Sequence, residues 1–359
     1  MKKALLFVST AAACAAAAAQ SSVTLFGVVD VNVGWIDNTG PGDTWQLGTN
    51  GMSTSRLGFR GVEDLGGGLK ASFWLEGEID ADTGTARASF GNGDPATSGF
   101  NFQRRSTVSL SNRFGEVRLG RDNVPTYWTW TVYDPFGATG VGSSQNLQTD
   151  TRLLSGTNGS YGTASRASNL VSYILPDGIV GKGLTGQLSV AAGENAPGNK
   201  YYGGRIGYAD GPYSIAAAYG ETDVTVSGDI THSVWNIGGS WNFGFVKVSG
   251  FFARAEVSGG LFAGADQDNW LIGAAVPFEQ WNFKLAYSEA KGGGTISGNG
   301  GTQIAVGVDY NLSKRSALYA NYSHIDNDGS STFRVISAGP SITAGGTSQG
   351  VQAGIRHSF

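Results

Sequence analysis

Apolar and polar residues alternate with a period of two along most of the chain. Between residues 23 and 35 the odd positions are almost all apolar, whereas Thr24 and Asp30 stand at even positions. Successive side chains of a strand point to opposite faces, so this pattern predicts β-strands. Sixteen such segments recur, at residues 22–35, 54–63, 69–80, 102–111, 115–121, 165–176, 184–194, 201–209, 213–222, 231–242, 245–257, 268–278, 281–290, 301–311, 316–326 and 348–359.

The connectors between these segments alternate in length. Short turns such as 210–212 and 279–280 alternate with long links such as 81–101 and 122–164. A secreted β-sandwich, one alternative, has no reason to sort its turns in this way, whereas a membrane barrel has short periplasmic turns and long external loops. Aromatic residues near segment ends fit the girdles at the two membrane interfaces: Trp35, Trp241, Trp270, Phe278, Trp281, Tyr310 and Tyr322.

Composition supports many strands joined by tight turns. Glycine accounts for 57 of the 359 residues and proline for only 9. No run of about 18 apolar residues follows residue 20, so no transmembrane helix is expected. A barrel of sixteen strands keeps an aqueous channel, whereas one of about eight fills its interior with side chains. The sequence therefore predicts an all-β fold, a 16-stranded antiparallel transmembrane β-barrel formed by one domain over residues 20–359.

The first nineteen residues have the features of a secretory signal peptide. A basic start is followed by an apolar, Ala-rich stretch and by small residues at the predicted cleavage site before Gln20. Cys14 lies inside this segment; a lipoprotein signal is the alternative, although Ala11 stands where a large aliphatic residue is expected. Residues 20–359 contain no cysteine, which excludes thiol catalysis. They carry 22 basic residues (24 less Lys2 and Lys3) and 28 acidic residues, so no overall field favours nucleic acid.

Motifs for catalysis or for metal binding are missing from the sequence. The three histidines, His232, His324 and His357, do not have the spacing of metal ligands. There is no P-loop, no Gly-x-Ser-x-Gly elbow and no convincing dinucleotide loop. The stretch 326–329 resembles a calcium loop only faintly, because no Glu stands at the twelfth position. We therefore predict no enzyme activity, no cofactor and no metal site.

Arginines fall on the predicted inner face of several strands. An arginine that faces lipid near the bilayer midplane costs about 2–4 kcal/mol, so the water-filled interior is the expected place for such side chains. In the fourth segment, alternation places Arg105 on the inner face in preference to Arg104, and we include both as candidate constriction residues. The predicted constriction residues on the wall are Arg56, Arg60, Arg104, Arg105, Arg121 and Arg166. Rings of arginine suit anion pores, although pairing with Asp and Glu would leave no net field.

The 122–164 link is too long for a plain connector. It contains the aromatic run 127–130 and the sequence Asp134-Pro135-Phe136-Gly137. Folded into a wide barrel, this link would pack against the wall and narrow the interior; the alternative is an ordinary external loop or a receptor contact. We predict that carboxylates of the loop, such as Asp134, oppose the wall arginines across the constriction.

Five stretches of the chain resemble the general trimeric porins of β-proteobacteria, which include the anion-selective Comamonas/Delftia type and the neisserial porins. They are residues 21–30, 55–71, 114–121, 134–137 and 354–359. The resemblance extends over residues 20–359 and implies a homotrimer, an inward-folded third external loop and an arginine cluster that maps to Arg56, Arg104 and Arg166. Two departures are the pair Arg104-Arg105, where the family has one arginine, and Arg166-Ala167-Ser168-Asn169-Leu170, where it has Arg-x-x-Asn-Ser.

Together these features predict a passive pore of the bacterial outer membrane for small hydrophilic solutes and ions, with a preference for anions. The main alternative is a substrate-specific channel, for which Trp128 and Trp130 are the candidate solute contacts. A plugged barrel that acts as an enzyme or adhesin would need a His/Ser/Asp set, and the histidines are too sparse. The terminal Phe359 resembles the signal read by the barrel-assembly machinery. The expected partners are therefore two further copies of the chain, membrane lipid, lipopolysaccharide and that machinery.

Overall fold

The computed structural model describes residues 22–86, 99–137, 139–148, 165–195, 198, 200–225, 227–261, 263–336 and 339–359. The predicted signal peptide, residues 1–19, lies outside these ranges and stays a prediction. Within them, β-structure dominates, and no helix is both long and apolar enough to cross a membrane.

The strands of the described residues form one antiparallel sheet, to which the two-residue strand β5 adds a short pairing. Their bounds are β1 Ser22–Asn38, β2 Gly42–Thr49, β3 Arg56–Gly66, β4 Leu69–Asp80, β5 Thr85–Ala86, β6 Arg105–Asn112, β7 Gly115–Asn123, β8 Arg166–Ile174, β9 Gly183–Ala191, β10 Lys200–Asp210, β11 Tyr213–Asp223, β12 Thr231–Asn242, β13 Lys247–Ser258, β14 Asp266–Phe278, β15 Trp281–Gly293, β16 Gly300–Asn311, β17 Ser316–Asp328 and β18 Thr347–Ser358. One helix, α1 (Tyr127–Tyr133), and two short 3₁₀ helices (Ser144–Leu147 and Gly294–Ile296) complete the regular structure of these residues.

Sixteen of these strands form a closed barrel. Each wall strand pairs with the next, and β1 pairs with β18 to close the ring. The strand β2 lies outside the ring sequence, because it pairs with residues 31–38 of β1, whereas β3 takes residues 22–28. Each of the sixteen predicted segments corresponds to one wall strand, so the predicted barrel is confirmed. The sequence reading missed β2 and β5, which belong to the first two long loops.

The two faces of the wall have opposite polarity to those of a soluble barrel. On β1, Asp30 and Asn32 are buried on the inner face, whereas Val33 on the outer face is 51% exposed. Outward aromatic rings pair near both ends of the strands, as in Tyr213 with Trp241 (centroids 5.8 Å apart) and Trp270 with Tyr287 (5.1 Å). An apolar outer band bounded by aromatic rings is what a lipid bilayer requires of a spanning barrel.

The end of the chain contributes to closure of the barrel. Phe359 and Gly27 exchange two backbone hydrogen bonds, with N···O distances of 3.0 and 3.1 Å. The Phe359 ring occupies the space that a Cβ of Gly27 would need, so a larger residue there would overlap the ring. The role of Phe359 as an assembly signal stays a prediction.

Candidate functional site: the charged interior of the barrel

Five charged side chains on the inner wall form what we call the upper charge cluster: Arg56, Arg104, Arg166, Glu76 and Glu78. Arg104 Nε lies 2.6 Å from Glu76 Oε1, and Arg104 Nη1 lies 3.5 Å from Glu78 Oε2. Arg56 Nε is 3.8 Å from the same Glu76 oxygen, and Arg166 Nε donates to the carbonyl oxygen of Arg104 at 2.8 Å. The three arginines assigned through the family resemblance therefore lie together, with three positive charges against two negative ones.

Arg104 and Arg105 both face the interior. Arg105 begins β6 opposite Glu76, and it shares the inner face with the buried residues Thr107 and Ser109. Arg104 precedes the strand in a bend, where its backbone N–H donates to the Glu76 carbonyl at 3.1 Å. Strict alternation applies only within a strand. The bend therefore turns Arg104 towards the same side as Arg105, which alternation alone could not predict.

A lower charge cluster lies nearer the short-turn end; we define it as Arg60, Arg105, Arg118, Glu116 and Asp122. Arg118 binds Asp122 at 2.6 Å and Glu116 at 2.8 Å. Arg105 Nε is 3.6 Å from Asp122 Oδ2. Arg60 and Arg105 both lie over the ring of Trp74, with Cζ-to-centroid distances of 5.2 and 4.6 Å. Arg60 and Arg105 thus occupy a level below Arg56 and Arg104 in the barrel.

Arg121 lies where β7 meets the start of β6 and β8. It pairs in register with the exposed Ser106 and follows the outward residues Val117 and Leu119. Its guanidinium donates to the Gln103 carbonyl at 2.5 Å and to Ser168 Oγ at 2.8 Å, which links the start of β6 to β8. These contacts hold Arg121 at the junction of β6 and β8, and its role at the constriction stays a prediction.

The segment after β7 packs against inner-face residues of the opposite wall. Trp130, Tyr133 and Phe136 form one buried cluster with Phe251, Ala253, Leu271, Ala286 and further small residues of β11–β16. Thr129 Oγ1 donates to Asn236 Oδ1 at 2.6 Å, and Asn236 Nδ2 donates to the Thr126 carbonyl at 2.9 Å. Trp130 is buried against Phe251, with centroids 4.6 Å apart. This burial leaves Trp130 unsuited to the solute contact that the substrate-specific alternative requires.

Asp134 does not face the arginines, which corrects the prediction made from sequence. Its carboxylate is 5% exposed and accepts hydrogen bonds from Phe136 N and Ser144 N at 2.8 Å and from Ser144 Oγ at 2.6 Å. Burial raises the pKa of Asp134 from 3.8 to about 6. The residue therefore joins two parts of the loop segment to each other.

A cavity of about 560 Å³ lies between the wall and this segment. Arg104, Arg166 and Tyr127 are among the residues that line it. The segment itself contributes uncharged polar groups, including those of Gln145 and Asn146, and the acidic lining groups Glu78, Asp80 and Asp82 come from β4 and the loop after it. Sequence reasoning missed Glu76 and Glu78, although their alternation with Leu75 and Gly77 in the segment 69–80 would have placed them inside.

A closed sixteen-stranded barrel with an apolar outer face and a charged, water-accessible interior is an outer-membrane channel. Within the described ranges, no group of three or more His, Cys, Asp or Glu side chains could hold a metal ion. The chain belongs to the Gram-negative porin family, whose sequence model matches residues 4–330. It is therefore an outer-membrane porin, a passive channel and not an enzyme.

Individual relatives agree with this assignment. The chain is 41% identical to outer membrane porin protein 32 of Delftia acidovorans, with 100% of both chains covered. It is 27% identical to the major outer membrane protein P.IB of Neisseria gonorrhoeae, over 88% of this chain and 91% of that one. Among solved structures, the anion-selective porin from Comamonas acidovorans superimposes with a TM-score of 0.82 and 38% identity, over 95% of this chain and 100% of that chain.

Proposed function

We propose that this porin prefers anions and that the arginines of the upper charge cluster set the preference. The observation that carries the proposal is the convergence of Arg56, Arg104 and Arg166 on one part of the inner wall, in a chain whose overall formal charge is −4. A mobile ion responds to the charges within about one Debye length, roughly 10 Å at 0.1 M salt, so the side chains that it meets at closest range outweigh the total charge of the chain. The similar Comamonas structure is described as an anion-selective porin.

The segment 124–148 is, in this proposal, the inward-folded third external loop, and it sets the width of the pore opposite the arginines. Its support is the packing of Trp130, Tyr133 and Phe136 on inner-face residues and the anchor between Thr129 and Asn236. A buried apolar cluster of this size resists displacement, since each large side chain contributes about 1.5–3 kcal/mol on burial. The loop would therefore act as a fixed constriction.

The assembly that we propose is a homotrimer, with the subunit contact on the wall near the chain termini. The outward face of β1 and β18 carries aliphatic residues such as Val29, Val33, Val351 and Ile355. Paired outward aromatic rings occur instead on the wall between β10 and β16. Aromatic girdles mark contact with the membrane interface, so that side would meet lipid and lipopolysaccharide. The barrel-assembly machinery, recognising Phe359, completes the set of proposed partners.

The reversal potential in a planar bilayer under a KCl gradient tests the anion preference. We expect a potential of the sign for chloride, reduced in the double variant Arg56→Ser/Arg166→Ser. The matched control is Arg254→Ser. Arg254 lies on the same outward face of β13 as Phe252, whose ring pairs with that of Trp235. A potassium preference in the wild type, or equal loss in the control, would refute the proposal.

A further inference from the structure

Arg60 differs from Arg56, Arg104, Arg105 and Arg118 in its surroundings. It lies on β3 four residues after Arg56, about 13 Å further along the strand towards the short-turn end. Its side chain is exposed to the barrel interior, and among the described residues it makes no ion pair. Arg56, Arg104, Arg105 and Arg118 all have carboxylate neighbours within 4 Å. Arg60 therefore keeps its hydrogen-bonding capacity for a solute.

Two aromatic rings hold the Arg60 guanidinium in place. Its Cζ lies 5.4 Å from the centroid of Phe26 and 5.2 Å from that of Trp74. The centroids of the two rings are 4.8 Å apart, and the absence of a side chain at Gly58 leaves the space that the Phe26 ring fills. Stacking engages the face of a guanidinium and leaves its N–H edge available. A planar edge of this kind matches the oxygens of a phosphate or carboxylate.

The surrounding charge favours an anion at this level. The lower charge cluster has three arginines, Arg60, Arg105 and Arg118, against the carboxylates Glu116 and Asp122. Both carboxylates are bound by Arg118, so the excess positive charge remains on the side of Arg60. The upper charge cluster also holds three arginines. A solute that passes Arg56 thus meets Arg60 about four strand residues further on.

We propose that Arg60, stacked on Phe26 and Trp74, is a second binding station for small oxyanions on the periplasmic side of the upper charge cluster. The inference rests on the proposed function, because solutes reach Arg60 through the same pore. The ligand class is an anion with at least two oxygens that accept hydrogen bonds, such as inorganic phosphate or a small carboxylate. Chloride would be attracted by the charge without the two-point contact.

Inorganic phosphate as a blocker of chloride current tests this station. The wild-type porin and Arg60→Gln are inserted in one orientation in a planar bilayer, and phosphate is added to either side. The variant should need about tenfold more phosphate for half block from the short-turn side, which corresponds to the loss of one charge-assisted contact of about 1.4 kcal/mol. Block from the long-loop side should change less, because the upper charge cluster is intact.

Two further variants make the outcome specific. Arg113→Gln removes an arginine that stacks on Phe114 in the β6–β7 turn, with Cζ 4.6 Å from the ring centroid. Phosphate should block the chloride current of this variant at the same concentration as in the wild type. Arg60→Lys keeps the charge without the planar edge, so it should resemble Arg60→Gln in phosphate block while keeping the wild-type reversal potential. Equal phosphate block in wild type and Arg60→Gln would overturn the station. A wild type that prefers potassium but shows Arg60-dependent block would refute only the proposed function.

Discussion

Replacing Glu76 by glutamine should make the channel more selective for anions. Glu76 neutralises Arg104 at 2.6 Å and lies 3.8 Å from Arg56, and it accepts a hydrogen bond from Trp74 Nε1 at 3.1 Å. Glutamine has nearly the same shape and keeps an oxygen for Arg104 and Trp74, but it has no charge. The upper charge cluster then carries three positive charges against the single carboxylate of Glu78.

The size of the effect follows from Coulomb's law with screening. An ion about 6 Å from one additional unit charge gains or loses ~0.7 kcal/mol in water, and ~0.4 kcal/mol after screening at 0.1 M salt. The change has opposite sign for chloride and potassium, so their permeability ratio should rise about three- to fourfold. A less polar surrounding would increase this factor, because the effective dielectric constant inside the pore is below that of bulk water.

The assay is the reversal potential of the folded porin under a KCl gradient, repeated at low and high ionic strength. Glu256→Gln serves as the control, because Glu256 shares the outward parity of Phe252 on β13 and its side chain is exposed. We expect the Glu76→Gln effect to shrink as salt rises, since screening shortens the reach of the charge. An unchanged or lower chloride preference in Glu76→Gln would refute the reasoning from local charge balance.

Two predictions concern the loop segment. Asn236→Ala removes the bonds to Thr129 of α1 and to the carbonyl of Thr126 just before it, at a cost of about 1–3 kcal/mol. The single-channel current should therefore become noisier, and a quiet channel would exclude the anchor. The raised pKa of Asp134, about 6 against 3.8, means that the folded segment binds this proton more tightly than the unfolded chain does, so its stability rises as pH falls from about 6 towards 4. Proteolysis within 124–148 should therefore be slower near pH 5 than near pH 7.5 in the wild type, and a difference that persists in Asp134→Asn would contradict this assignment.

The strands of the barrel wall were predictable because lipid on one face and water on the other select different side chains at alternate positions of every strand. On β1, the alternation of Val33 with Asn32 reports both faces of the strand, and the sixteen repeats decide the interior volume. The strand β2 carries the same signal, with Trp45 and Leu47 exposed on one face. Sequence reasoning missed β2 because its pairing with residues 31–38 of β1 is possible only where β3, which pairs with residues 22–28, leaves them free. That arrangement belongs to the tertiary structure and leaves no pattern in the sequence.

The position of Asp134 was not predictable by the same means. A carboxylate in a polar loop normally remains in water, and no periodicity marks one that folds inwards. Its burial depends on Ser144, ten residues later, whose backbone N–H and hydroxyl both bind it. It depends also on the neighbouring aromatic residues packing on the far wall. Such a contact follows from the path of the loop, and that path is set by shape complementarity with the barrel interior.

The sign of the pore field depends on strand register more than on the number of charges. The pairing of β3, β4 and β6 sets Arg56 opposite Glu78 and Arg105 opposite Glu76, while Arg60 stands opposite Trp74. A slip of one residue would turn every arginine of a strand towards lipid, at about 2–4 kcal/mol for each one near the midplane. Register is therefore held by the same charges that face the solute. Arg60, whose partner in register on β4 is a tryptophan, has no carboxylate opposite it on that strand.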